Sequence, residues 1–158
     1  MTIFDQLHAG VMTASAAETQ ALATALAVVL PPDTTLALHG NLGVGKTTFV
    51  QGLARGFGIT TPVTSPTFNI YTVHHGNGGG PRRSPGAARR TLVHLDAYRL
   101  DHPQQVEDLL IEDFLVSPWC LAVEWPEKIG AWLPAGALHL DLGVAPDERH
   151  TLKLRNGG

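Results

Sequence analysis

An α/β fold around a central, mainly parallel β-sheet is the architecture this sequence predicts, and three observations predict it. Apolar, strand-like runs alternate with helical stretches, the pattern that lays parallel strands under packed helices. A glycine-rich loop joins one such run to one such helix: Gly40-Asn41-Leu42-Gly43-Val44-Gly45-Lys46-Thr47 satisfies G-x-x-x-x-G-K-[ST] at every specified position. Two further apolar runs end in an acid, at Asp96 and at Glu124.

Taken in order, residues 16–30 are rich in Ala and Leu, follow Ser15 as N-cap and stop at Pro31-Pro32, which predicts a helix. Residues 34–39 form a short buried strand, and after the loop a helix starting near Thr48 runs to about residue 57, closed by Gly56-Phe57-Gly58. The Pro- and Thr-rich stretch 61–67 predicts a loop, and 68–73 alternates as a strand does. Residues 75–90 are dominated by Gly, Pro, Ser and Arg and have almost nothing to bury, which predicts a mobile or disordered insertion between two strands. Strand 91–96, helical turns over 103–114, strand 119–124, a short helix or turn over 126–133, and final strands at 138–142 and 151–154 complete the chain.

Composition bounds the function. The 158 residues suffice for one domain spanning 1–158 with a real core, and no apolar run reaches membrane-spanning length. The first residues lack the basic start and apolar core of a signal peptide. Cys120, the single cysteine, sits in an apolar stretch and reads as a small buried hydrophobe. These features predict a cytoplasmic setting. Arg82, Arg83, Arg89 and Arg90 cluster without an intervening acid, leaving seven other basic residues against fourteen acidic ones. A fold that acidic presents no broad nucleic-acid surface, so any RNA contact runs through that cluster or through partner proteins.

The glycine loop carries its own chemistry. Its glycines permit a tight backbone turn around phosphate oxygens, and the following helix adds its positive end. Lys46 reaches the β/γ-phosphates and the Thr47 hydroxyl sits on Mg²⁺, so the chain is expected to bind a nucleoside triphosphate. Such a loop needs a carboxylate at the end of a neighbouring strand. Asp96 and Glu124 both qualify, and spacing alone does not divide the metal role from the water-orienting role. Thr67 lies on a Pro-stiffened turn where a hydroxyl senses the γ-phosphate in switch loops, although its chemistry alone reads as an ordinary turn. Arg99 or Arg149 offers charge to a transferred phosphoryl group, or is a surface arginine. The histidines show no metal-ligand spacing, and His39 and His94, inside strands, read as packed or hydrogen-bonded. No Asn-Lys-x-Asp guanine reader is present, which favours ATP over GTP.

Four segments in this order resemble one family. They are the phosphate loop running on to Thr48-Phe49, then Ser65-Pro66-Thr67-Phe68, His94-Leu95-Asp96-Ala97-Tyr98-Arg99-Leu100, and Val123-Glu124-Trp125-Pro126-Glu127-Lys128. Together they are similar to the TsaE (YjeE) family, small bacterial ATPases of the tRNA threonylcarbamoyladenosine pathway with a P-loop NTPase fold. The resemblance implies ATP and Mg²⁺ as ligands, Lys46 on the phosphates, Thr47 and Glu124 on the metal, Asp96 as the acid for hydrolysis and Thr67 in the switch region. It further implies that Trp125, Glu18, Thr19 and Arg149 lie beside the nucleotide. The implied partners are TsaB and TsaD, with adenosine 37 of tRNA reached indirectly through that complex. The competing reading is a small-molecule kinase on the same loop, with a metabolite hydroxyl in place of water.

Overall fold

The computed structural model describes residues 1–66, 70–76 and 90–156. Seven strands form one sheet in the order β1-β7-β6-β2-β5-β4-β3. They are β1 (Val11–Thr13), β2 (Thr34–His39), β3 (Tyr71–His75), β4 (Thr91–Asp96), β5 (Trp119–Glu124), β6 (Leu138–Val144) and β7 (His150–Leu154). The four central strands β6, β2, β5 and β4 run parallel, and β7 and β3 flank them antiparallel. β1 then pairs antiparallel with β7 at the far edge. Strands covered on both faces read as continuous apolar runs, and β2, β4 and β5 do so for that reason.

Helices α2 (Ala16–Val29) and α3 (Lys46–Gly56) cover one face, where Leu26, Phe49 and Leu53 bury against Leu36, Leu38, Leu92 and Cys120. The two helices meet at small residues. A Cβ on Gly52 would lie 2.4 Å from the Gln20 carbonyl oxygen, and Thr24 Oγ1 donates to the Gly52 carbonyl at 2.8 Å. On the other face Val93, Leu95, Leu121 and Val123 pack with Val106, Ile111 and Ile129. Burial pushes the Cys120 thiol up to about 12, as befits a packed and unreactive cysteine.

Several elements differ from the sequence expectation. Helix α1 (Ile3–Ala9), closed by a Thr2–Asp5 capping box, and β1 are additional. Of the predicted strand 68–73, residues 68 and 69 lie outside the described residues; β3 begins at Tyr71 and runs on to His75, its register set by pairing Tyr71 with Leu95 and His75 with Thr91. The helical stretch 103–114 divides into α4 (Pro103–Glu107) and a 3₁₀ turn (Ile111–Phe114), broken where Leu110 takes a left-handed φ of 54°. A second 3₁₀ segment spans Pro126–Trp132.

At both ends the predicted insertion 75–90 joins the sheet instead, and residues 77–89 lie outside the described residues. His75 closes β3, and the Gly76 N–H donates to the Arg90 carbonyl at 2.9 Å. Arg90 is not part of a solvated cluster: it is buried, donates to the Leu30 and Pro31 carbonyls at 3.1 and 2.6 Å, and lies over the Phe57 ring. Its charge thus meets the carbonyl end of α2, where a cation is favourable. Arg82, Arg83 and Arg89 lie outside the described residues. No helix among the described residues is long and apolar enough to cross a membrane.

Candidate functional site

The parallel strands bring their carboxyl ends to one edge of the sheet, where open α/β sheets place their ligand crevices. A cavity of about 320 Å³ opens there, lined by Leu42, Gly43, Gly45, Lys46, Thr47, Thr48, Ser65, Asp96, Glu124 and Trp125.

The loop between β2 and α3 depends on glycine at two places. At Gly40 (φ 150°) a Cβ would strike the Leu142 carbonyl oxygen at 2.6 Å and the Val44 side chain at 2.7 Å. Gly45, just before α3, has φ 97°, a conformation other residues adopt only under strain. Val44 is buried and anchors the loop, and its carbonyl is 2.9 Å from Nδ1 of His150 on β7. Asn41 accepts the Val44 N–H at 3.4 Å. Gly40, Asn41 and Val44 therefore shape the loop without lining the cavity.

Lys46 opens α3. Its ammonium donates to the Gly40 carbonyl at 2.6 Å and lies 3.7 Å from the centre of the Trp125 ring. Burial pulls the Lys46 pKa below the usual lysine value, against the opposing charges of Glu124, Glu127 and Asp96. Trp125 holds a left-handed φ of 57° and tilts against Tyr98, with ring centroids 5.0 Å apart.

Glu124 ends β5 and is buried. Its Oε2 accepts from Thr47 Oγ1 at 3.0 Å and contacts His94 Nε2 at 2.5 Å. Burial pushes the Glu124 carboxyl up. The hydrogen bonds from His94 and Thr47 and the charge of Lys46 outweigh that, and its pKa falls below the usual carboxylate value. Asp96 stands beside Glu124 in register but closer to solvent, accepting the Tyr98 N–H at 3.0 Å and the Ser65 hydroxyl at 3.4 Å.

The structure thus gathers Lys46, Thr47, Thr48, Asp96, Glu124 and Trp125 with the loop glycines. It does not bring Glu18, Thr19 or Arg149 to the cavity. Glu18 accepts the Ala14 N–H at 2.7 Å, Thr19 bonds Thr13 at 2.6 Å, and Arg149 pairs with Asp147 at 2.8 Å in the turn before β7. Thr67 lies outside the described residues. The sequence reading of His94 as packed or hydrogen-bonded in its strand holds, though it does not name Glu124 as the partner. It names the Ser65 turn without singling out Ser65 as a lining residue, and it misses His150 as a loop support. The signal for His94 was available: one polar residue in a strand whose other residues are buried hydrophobes or ends.

Hydroxyl and ammonium donors on the helix side face two carboxylates on the strand side. This arrangement suits an anionic group on the first and a hard cation between them.

A glycine loop between strand and helix, with acids on adjacent parallel strands, defines a P-loop NTPase fold. Residues 13–152 match the family model described as threonylcarbamoyl adenosine biosynthesis protein TsaE, and the chain belongs to that family. It is 33% identical over 133 residues to the tRNA threonylcarbamoyladenosine biosynthesis protein TsaE of Treponema pallidum, covering 84% of this chain and 90% of the relative. The Bacillus subtilis protein of the same name is 34% identical over 140 residues, covering 89% and 80%. The crystal structure of Bacillus subtilis YdiB superposes with a TM-score of 0.71 at 30% identity, covering 94% of this chain and 85% of that one.

Proposed function

We propose that this chain is the ATP-binding and ATP-hydrolysing component of the machinery that makes N6-threonylcarbamoyladenosine at position 37 of tRNA. In the cytoplasm it would reset a TsaB–TsaD complex for repeated turnover. Family membership supports the pathway. The observation that carries the activity is the convergence of Lys46, Thr47, Asp96 and Glu124 on one cavity.

The residues fit the ligands. The backbone approach at Gly40, which any Cβ would obstruct, leaves the tight turn a phosphate cradle requires. The Thr47 hydroxyl and the Glu124 carboxylate are hard oxygen donors suited to Mg²⁺. Among the described residues no three His, Cys, Asp or Glu side chains form a metal cage. Mg²⁺ needs none, since it is held by one or two carboxylates with phosphate oxygens and water. When bound, it would neutralise charge on the β- and γ-phosphate oxygens.

Lys46 would exchange the Gly40 carbonyl for a phosphate oxygen, and its buried start of α3 costs little reorganisation. Thr47 already donates its proton to Glu124, which leaves its oxygen lone pairs free for the cation. Asp96, nearer solvent, would orient and accept a proton from the attacking water.

The test is a reconstituted mixture of this chain with TsaB, TsaD, tRNA and ATP. Modification is expected to continue through many turnovers with the wild-type chain and to stall after about one with Lys46→Ala. Sustained turnover without the chain would overturn the role, and ATP consumption that yields a phosphorylated metabolite would support the kinase instead.

A further inference from the structure

We infer that His94 is a positioning residue: its Nε2–H holds Oε2 of Glu124 and so reserves the other carboxylate oxygen for the cation. The inference rests on the metal role proposed for Glu124, and it deepens that role.

The placement follows from the sheet. β4 and β5 pair in parallel with His94 opposite Ala122 and Asp96 opposite Glu124, so all four side chains rise on the face covered by α3. Along β4 that face reads Leu92, His94, Asp96, and His94 takes a position its neighbours fill with a hydrophobe. The small Ala122 opposite lets the imidazole lean forward to Glu124, two residues on. His94 is fully buried.

The hydrogen bonds select one tautomer. Nε2 lies 2.5 Å from Glu124 Oε2, so one proton stands between them. Nδ1 is buried and has no hydrogen-bond partner among the described residues. A proton on Nδ1 would be a buried donor with nothing to receive it, which is costly, whereas an unsatisfied buried acceptor is tolerated somewhat more often. Both the doubly protonated ring and the arrangement with the proton on Glu124 place a hydrogen on Nδ1. The neutral ring with its hydrogen on Nε2, facing an ionised Glu124, is the arrangement that does not.

The consequence lies in Glu124. Oε2 receives two donors, from Thr47 and from His94, which pins the carboxylate plane. Oε1 makes no hydrogen bond among the described residues, and Glu124 lines the cavity. Outer partners of this kind fix the orientation of a ligating carboxylate, and their loss typically costs 10–100-fold in metal affinity.

Two substitutions and one spectrum test the inference. His94→Phe fills the ring volume without a donor, and His94→Gln keeps a donor nitrogen at a similar reach. The Mg²⁺ concentration that half-saturates metal-dependent tightening of a non-hydrolysable ATP analogue should rise by about 10–100-fold in His94→Phe and return most of the way in His94→Gln. Metal-free analogue binding, measured for each variant, gives the baseline for that tightening. In ¹⁵N-histidine-labelled wild type, long-range ¹H–¹⁵N correlations should show His94 neutral with its proton on Nε2. Wild-type Mg²⁺ dependence in a folded His94→Phe, or a proton on Nδ1, overturns the inference. Should His94→Phe not fold, His94→Gln and the spectrum still decide, since a folded His94→Gln whose Mg²⁺ requirement is raised by the full ~10–100-fold removes the donor role. Wild-type protein with no Mg²⁺-coupled ATP binding would instead overturn the proposed function, and the tautomer would be read independently of it.

Discussion

Asp96 and Glu124 end adjacent parallel strands at the same level, yet the two sides of the cavity they build differ in kind. Glu124 is 4% exposed and is held by side chains of α3 and β4. Asp96 is only partly buried and is held by loop groups, the Tyr98 N–H and a long contact from Ser65. The cause is topological. β5 sits between β2 and β4 in the middle of the sheet, whereas β4 lies beside the antiparallel β3 near its edge. Depth therefore divides two chemically similar acids: the inner one is preorganised and kept charged, and the outer one is reachable by water. This division is what the strand-end spacing left open.

Breaking the inner side should cost most. Glu124→Gln sets an amide against the donors Thr47 and His94, and Mg²⁺-dependent ATP hydrolysis should fall by about 10³-fold, with the Mg²⁺ requirement raised. Steady-state assays over a Mg²⁺ series check this, and turnover near wild type would show that the inner acid is not on the metal side. On the outer side, Asp96→Asn should lower kcat by about 10²-fold while leaving ATP affinity in place. A parallel loss of affinity, measured by calorimetry, would reverse the assignment.

Away from the cavity the contrast sharpens. Gly52→Ala should destabilise the fold by about 1–3 kcal/mol. Its methyl carbon would sit 2.4 Å from the Gln20 carbonyl oxygen and 2.7 Å from the Ala23 methyl. That clash exceeds the ~1 kcal/mol of helix propensity gained. Denaturant unfolding should show the loss with kcat unchanged; a stabilised variant would mean α2 and α3 separate readily.

The smallest effect is expected from acid. His39 Nε2 and His139 Nδ1, 2.8 Å apart on β2 and β6, have room for one proton between them. Burial, then the charge of Arg155, holds both below the ordinary histidine value of 6.5. The unfolded chain takes up protons there that the folded pair refuses, so stability is full above that value and declines as pH falls through it. Tm should be lower at about pH 5.5 than at about pH 7.5, and the drop should shrink in His39→Leu. A flat Tm across that window contradicts the pairing.

Much of the fold was legible because its signals are local. The glycine loop, the Ser15-capped helix and the acid-ended strands each announce themselves within a dozen residues. What escaped depends on distant partners. β1 exists by pairing with β7, β3 takes its register from β4, and Arg90 is buried by carbonyls sixty residues away. In the site, Lys46, Thr47, Asp96 and Glu124 were readable from motif chemistry, whereas the His94–Glu124 contact needs the β4–β5 register. Glu18, Thr19 and Arg149 followed from resemblance, and local bonds to Ala14, Thr13 and Asp147 occupy them.

The division of labour between the acids can be seen directly. Crystals grown with a non-hydrolysable ATP analogue and Mn²⁺ in place of Mg²⁺ would locate the cation by its anomalous scattering. A peak between Thr47 and Glu124, with Asp96 facing solvent beside the terminal phosphate, is the expected result. A peak centred on Asp96, with Glu124 bound only to His94 and Thr47, would contradict it.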